Sequence, residues 1–236
     1  MKITFNIKSF IILTFAFIVF TAIGTVTHEY GHILVAKYLG YETTLHYGSM
    51  NYNSELNEKI YDIYNQNKTA IQNDQYFDKK NEYEIGIEEL QSNGLLIIIG
   101  GPLQTTLTGL IGLIILFMRR NHIIKLGLKM IDWLAVFLSL FWLREVFNLV
   151  MSIGHNIISP RGSFFSGDEK YISYGLNLWE GTAPIILGFA GLLISLFVIF
   201  NIIPNRHRLT FIISGLVGGI VGFILWMNIL GPRILP

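Results

Sequence analysis

The chain has 236 residues, of which 52% are hydrophobic and only 14% are charged, and its formal net charge is +1. Soluble domains carry about 25% charged residues, so this composition indicates a chain embedded in lipid, and the absence of a basic patch argues against nucleic acid as a partner. There is no cysteine. Disulfides, thiolate metal sites and a cysteine nucleophile are therefore excluded, and any metal must be held by histidine or carboxylate side chains.

Five apolar stretches are long enough to cross a bilayer core, which needs about 20 helical residues. They cover residues 9–27, 95–118, 131–151, 183–203 and 209–230. We therefore expect an all-α polytopic bundle of about five transmembrane spans, with residues 1–236 forming one membrane-embedded domain. The first stretch stays apolar as far as Leu39, which predicts one retained helix; a signal peptide that is cleaved near Ala22 is the alternative.

The basic residues predict how the chain is oriented. Three segments (before the first span, between the second and third, and between the fourth and fifth) carry eight bases and no acid: Lys2, Lys8, Arg119, Arg120, Lys125, Lys129, Arg206 and Arg208. By the positive-inside rule these segments face the cytoplasm. Residues 41–93 and the segment after the third span then lie on the outer side.

Residues 41–93 form a polar extramembrane insertion between the first two spans. They contain ten acids against four lysines, and seven of the eleven tyrosines. Such polarity favours a solvated loop with partial structure, in which residues 82–90 could form a short amphipathic helix. A folded subdomain that gates a substrate or binds a partner is the alternative.

The first apolar segment carries the motif His28-Glu29-Tyr30-Gly31-His32. Histidines four residues apart share one face of a helix and can reach one metal ion, while Glu29 can pass a proton from an activated water to a leaving amine. Ionisable residues are costly in a membrane, so three within five positions indicate a functional site. A hydrogen-bonded cluster inside the bundle is the alternative, and Gly31 serves either close helix packing or a backbone role.

With Ala36 and Gly40 downstream, this motif resembles the first motif of the site-2 protease family of intramembrane zinc metalloproteases. The resemblance implies a zinc ion, a Gly-Pro element on a later helix and an aspartate near another helix end as the third ligand. Gly100-Gly101-Pro102-Leu103 resembles the Gly-Pro element, with Gln104 and Thr105 near the position where the family has asparagine. Gly101 and Pro102 are thus candidates for binding the substrate backbone, and helix-start chemistry is the alternative.

The third ligand has several candidates, because a catalytic zinc ion keeps three protein ligands and one open position. They are Asp168, Glu169, His155, Glu145 and Asp132. Asp132 begins the third span at the cytoplasmic end, away from the motif. Ser166-Gly167-Asp168-Glu169 resembles the aspartate-bearing element of compact bacterial members of the family, so Asp168 is the preferred ligand, followed by His155 and Glu145. A turn residue beside glycine is the alternative explanation of Asp168.

Two polar residues inside the third span also need an explanation. A charge buried in a membrane requires a partner, so we expect Arg144 to form a structural ion pair or to contact the Asp168 segment. A functional alternative is that Arg144 stabilises an oxyanion or holds Asp168 in place. Asn148, one turn later, could hydrogen-bond a substrate backbone or a metal ligand.

Together these features predict a zinc-dependent intramembrane endopeptidase that hydrolyses peptide bonds of membrane-anchored proteins or peptides. One zinc ion per chain would be bound by His28, His32 and Asp168, with Glu29 as the general base and acid. A catalytically inactive membrane scaffold or chaperone of the same fold is one alternative. A metal-ion transporter is another, although the chain shows no repeated half. Few tryptophans and many isoleucines and asparagines favour an AT-rich bacterium, and hence a bacterial cell membrane, as the source.

Overall fold

The computed structural model describes residues 5–159 and 162–235, so that Lys2 lies outside the described part of the chain. Its elements in chain order are α1 (Ile7–Tyr38), β1 (Glu42–Leu45), β2 (Met50–Asn53), α2 (Glu55–Gln72), α3 (Lys80–Leu126), α4 (Met130–Ser139), α5 (Leu143–Ile158), α6 (Asp168–Gly175), α7 (Thr182–Phe197), α8 (Asn205–Leu225) and α9 (Gly231–Ile234). A 3-10 turn at Leu140–Trp142 joins α4 to α5, and π-helical turns at Val198–Ile202 and Trp226–Leu230 extend α7 and α8.

Five helical segments are long and apolar enough to cross a membrane, which confirms the predicted all-α bundle. They are Ile7–Tyr38, Lys80–Leu126, Met130–Ile158, Thr182–Ile202 and Asn205–Ile234. Many of their large apolar side chains point away from the protein, as Ile12, Phe15 and Leu34 do on α1. Such a surface needs an apolar solvent, so the chain is a multi-pass membrane protein.

Helix α1 lies between α3 and α8, and small residues allow it to approach both. At the crossing with α3, a Cβ atom on Gly31 would collide with the carbonyl oxygen of Gly100, and one on Gly100 with the carbonyl oxygen of Gly31. On the other side, Gly218 of α8 leaves no room for a side chain against Thr14 and Phe17. Close approach of this kind favours helix association in lipid, so Gly31 serves helix packing.

An aromatic cluster fills the half of the bundle away from the histidine motif. The ring of Phe137 on α4 lies 4.9 Å from that of Phe17 and 4.7 Å from that of Phe20, both on α1. Phe211 of α8 joins it, with its ring centroid 5.1 Å from that of Phe17. These rings anchor α1 to α4 and α8, and so hold the helix that carries the motif.

Residues 41–93, which we call the extramembrane subdomain, are folded, and they are more ordered than the loop with partial structure that their polarity favours. The strands β1 and β2 form an antiparallel hairpin in which Glu42 pairs with Asn53, and α2 packs against the first turns of α3. Ile60, Ile63 and Phe77 are almost fully buried between them. Because these apolar residues are few, the composition of residues 41–93 is polar on average and does not reveal the hydrophobic core. The predicted helix at residues 82–90 is the beginning of α3.

Candidate metal centre

Two histidines of α1 and one aspartate of α6 converge on one point. His28 and His32 are buried, with 0% and 6% of their surface exposed. Oδ2 of Asp168 lies 2.9 Å from Nε2 of His28 and 3.3 Å from Nε2 of His32. Ligand atoms arranged tetrahedrally at zinc–ligand distances of about 2.0–2.1 Å would be about 3.3 Å apart. The three side chains therefore form a group that could hold one metal ion.

Hydrogen bonds from α3 orient both imidazole rings. Nδ1 of His32 lies 2.7 Å from the carbonyl oxygen of Ile97, and Nδ1 of His28 lies 2.9 Å from the hydroxyl oxygen of Thr105. The backbone N–H of Gly101 also lies 3.2 Å from Nδ1 of His32, so α3 holds this nitrogen from two sides and Nε2 faces the centre. Partners of this kind fix the tautomer and the ring angle of histidines that bind metals.

Gly101 of α3 provides the space in which an ion would fit. A Cβ atom on residue 101 would lie 2.6 Å from Nε2 of His28 and would also collide with Nε2 of His32. The nitrogen atoms of the candidate ligands thus face the backbone of α3 at Gly101, and the methyl group of an alanine at this position would fill the space for an ion. Pro102 is buried beside it and has no N–H, which leaves the carbonyl group of Ile98 without its usual helical donor. Gly101 and Pro102 therefore lie at the candidate metal centre.

The start of α6 presents Asp168 as an anion. Gly167 has a φ of +82°, a conformation that favours glycine, and it directs Asp168 into the first turn of α6. Burial alone would raise the pKa of Asp168, but hydrogen bonds from His28 and His32 outweigh it and hold that pKa well below its usual range. The deprotonated carboxylate is the form that binds a metal.

Helix α5 forms hydrogen bonds with residues on both sides of Asp168 in the sequence. The side-chain amide of Asn148 donates to Oε1 of Glu169 at 2.9 Å, and the hydroxyl oxygens of Ser152 and Ser166 are 2.6 Å apart. Asn148 and Ser152 are one helical turn apart, so a single face of α5 fixes the residues on both sides of Asp168. Asn148 thus contacts the neighbour of a candidate ligand.

The other candidates for the third ligand are not part of this group. His155 is exposed near the end of α5, and Asp132 pairs with Arg119 toward the opposite end of α3. Glu145 and Glu169 are buried beside each other. Among residues 5–159 and 162–235, the group of possible metal ligands consists of the two histidines and Asp168.

Glu29 and Arg144 face each other next to the metal centre. Glu29 follows His28 on α1 and has 7% of its surface exposed. Its Oε1 lies 3.9 Å from Nη2 of Arg144, so the expected ion pair of Arg144 is made with Glu29 and not with the Asp168 segment. Nε of Arg144 is buried and has no hydrogen-bond partner among the described residues. A carboxylate and a partly unpaired guanidinium group thus border the metal group.

Thr105 also belongs to the site, although in the sequence it stands out only as a departure from the family pattern. It is 1% exposed and is the hydrogen-bond partner of His28. One signal was available: Thr105 is four residues after Gly101, so the two share a face of a largely apolar helix.

No protein-family model, no curated protein and no solved structure matches the chain.

Proposed function

We propose that the protein is a zinc-dependent intramembrane endopeptidase that cleaves membrane-anchored substrates in a bacterial cell membrane. The observation that supports this proposal is the convergence of Asp168 with His28 and His32 in a buried group beside Glu29. Two histidines and one carboxylate are a donor set that zinc accepts, and three protein ligands leave the open position that separates catalytic zinc sites from structural ones.

Zinc would be held by His28, His32 and Asp168, one ion per chain, and when bound it supplies a Lewis acid that polarises the scissile carbonyl group and activates water. Glu29 is buried next to these ligands without being one of them. It accepts the proton of the attacking water and delivers it to the leaving amide nitrogen. A general acid–base group of this kind contributes about 10²–10⁴-fold to a rate.

Arg144 has two tasks in the proposed reaction. Its attraction for Glu29, at 3.9 Å, orients the carboxylate. Its buried Nε–H has no partner among the described residues and is available to the negative charge that develops on the carbonyl oxygen.

The backbone of α3 is the proposed platform for the substrate. A peptide bond in a helix is shielded, so a membrane-anchored substrate must unwind where it is cut, and its freed backbone groups need new partners in lipid. Gly101 brings the backbone of α3 directly against the candidate ligands, and Pro102 leaves the carbonyl group of Ile98 without its usual helical donor, so that it can accept from a substrate. These features support the assignment of Gly101 and Pro102 to substrate binding.

The decisive experiment combines zinc analysis with proteolysis. The full chain is purified in detergent, its zinc is measured by elemental analysis, and cleavage of a fluorogenic single-span peptide is followed. We expect about one zinc ion in the wild type, lost in His28→Ala and Asp168→Ala. Glu29→Gln should keep the zinc and lose cleavage by at least about 10²-fold.

His155→Ala is the matched control, because His155 is exposed and outside the metal group. It should keep both zinc and activity. A wild type without zinc after reconstitution would overturn the proposal. A Glu29→Gln protein that retains zinc and every cellular effect of the wild type would favour a scaffold or a metal-ion transporter.

A further inference from the structure

A groove lined with tyrosines opens on the extramembrane subdomain, apart from the metal centre. It has a volume of about 550 Å³ and lies between the hairpin, α2 and the first turns of α3. Five tyrosines and one carboxylate characterise its lining: Tyr41, Tyr52, Glu58, Tyr61, Tyr64 and Tyr83. We call it the tyrosine groove.

The groove has a fixed floor and an exposed rim. Tyr41 is 6% exposed, and its hydroxyl oxygen accepts a hydrogen bond from the side-chain amide of Asn93 at 3.2 Å. Its ring meets that of Tyr52 edge to face at 5.4 Å. Tyr61 at the rim is 66% exposed. Tyrosines provide a large contact area at low entropic cost, and the faces of their rings attract cations.

The charges around the groove complement a basic partner. Oε1 of Glu58 accepts a hydrogen bond from Asn53 at 3.0 Å, and its carboxylate remains exposed. None of the described lining residues is basic. The nearby Lys59 pairs with Glu82, and Lys80 pairs with Asp74. Since the subdomain as a whole has ten acids against four lysines, it attracts cations to the groove.

Helix α3 connects the tyrosine groove to the metal centre. Leu90 and Tyr83 line the groove, and Gly101 lies beside the candidate ligands on the same helix. At 1.5 Å per residue, Leu90 and Tyr83 are about 16 and 27 Å from Gly101 along the helix axis. An extended polypeptide covers these distances with about five to eight residues.

We infer that the tyrosine groove binds a basic, extended segment of the substrate, about five to eight residues from the bond that is cleaved. This inference rests on the proposed function for the identity of the partner. Aromatic faces bind the lysine or arginine side chains of this segment, and Glu58 neutralises their charge. The open shape of the groove accommodates a chain that continues toward the membrane and the metal centre.

The test measures binding on the Glu29→Gln chain, so that cleavage does not interfere. The probes are fluorescein-labelled twelve-residue Gly/Ser peptides that contain four lysines, four glutamines or four glutamates. In neutral detergent at low salt, we expect the lysine peptide to bind at least about five-fold more tightly than the glutamine peptide by fluorescence anisotropy. Glu58→Gln and Tyr61→Ala should each weaken its binding by about three-fold or more.

Glu88→Gln and Tyr76→Ala are matched controls, since both residues are exposed on the subdomain and neither lines the groove. They should leave the affinity unchanged. Equal binding of the lysine and glutamine peptides, or equal losses in the groove and control variants, would overturn the inference. The inference would also be overturned if phosphocholine displaced the probe and the groove showed no preference for the lysine peptide, because a lipid headgroup would then be the occupant. If the Glu29→Gln chain bound the lysine peptide as expected but the wild type showed no proteolysis, only the proposed function would be contradicted.

Discussion

Thr105 illustrates how a single hydroxyl group can orient a histidine of the candidate metal centre. Its oxygen lies 2.9 Å from Nδ1 of His28 and leaves Nε2 for the metal group. Thr105→Val keeps the shape and removes the hydroxyl group, so the buried Nδ1 of His28 loses its hydrogen-bond partner. We expect the zinc affinity to fall by about 10–100-fold, as measured by competition with a chromogenic chelator.

The neighbouring Thr106→Val provides the control for this substitution. The hydroxyl of Thr106 donates to the carbonyl oxygen of Leu103 on its own helix, and Thr106 is only partly buried, whereas Thr105 is almost fully buried. Its removal should leave the zinc affinity unchanged, and Thr105→Ser should restore most of what Thr105→Val loses. If Thr105→Val bound zinc as tightly as the wild type, the hydroxyl group would have no part in orienting His28.

At the scale of elements, the metal centre depends on how closely α3 passes α1. A Cβ atom on residue 101 would overlap the positions of both Nε2 atoms. Gly101→Ala should therefore lose most of the bound zinc, and the overpacking should cost about 1–3 kcal/mol of stability. Zinc content and thermal unfolding of the purified variant check both effects.

Gly219→Ala is the corresponding control within a helix. A Cβ atom on Gly219 of α8 would meet nothing within 4 Å. This variant should keep its zinc and be as stable as the wild type, or more stable by up to about 1 kcal/mol, because alanine is the better helix former. Zinc binding by Gly101→Ala at the wild-type level would contradict the close approach of α3.

The limits of sequence-based prediction also show at this scale. The spans were predictable because about 20 apolar residues in a row leave few alternatives to a membrane helix. The histidine spacing and the resemblance of the Gly167-Asp168 segment pointed to the residues that the structure brings together. Thr105 was not predictable, since an isolated threonine in a span commonly bonds its own helix, as Thr106 does. The subdomain could be predicted only as an alternative, because its core consists of a few residues scattered among polar ones, such as Ile60 and Ile63.

At the scale of the whole molecule, distances along α3 indicate how deep in the membrane the candidate metal centre would lie. Gly101 and Arg119 are about 27 Å apart along the helix, close to the thickness of a hydrocarbon core of about 30 Å. If Arg119 lies at one interface, as the positive-inside rule predicts, the metal group would lie near the opposite interface, on the side of the extramembrane subdomain.

Cysteine labelling tests this orientation directly, because the natural chain contains no cysteine. Tyr76→Cys and Leu178→Cys place a thiol at exposed positions on the side of the metal centre, and Asn121→Cys places one at the opposite end of α3. In intact cells, a membrane-impermeant maleimide should label the first two variants, and Asn121→Cys should react only after permeabilisation. The reverse pattern would mean that the loop charges do not set the topology. The metal centre would then open toward the cytoplasm, and the basic substrate segments would have to be sought there.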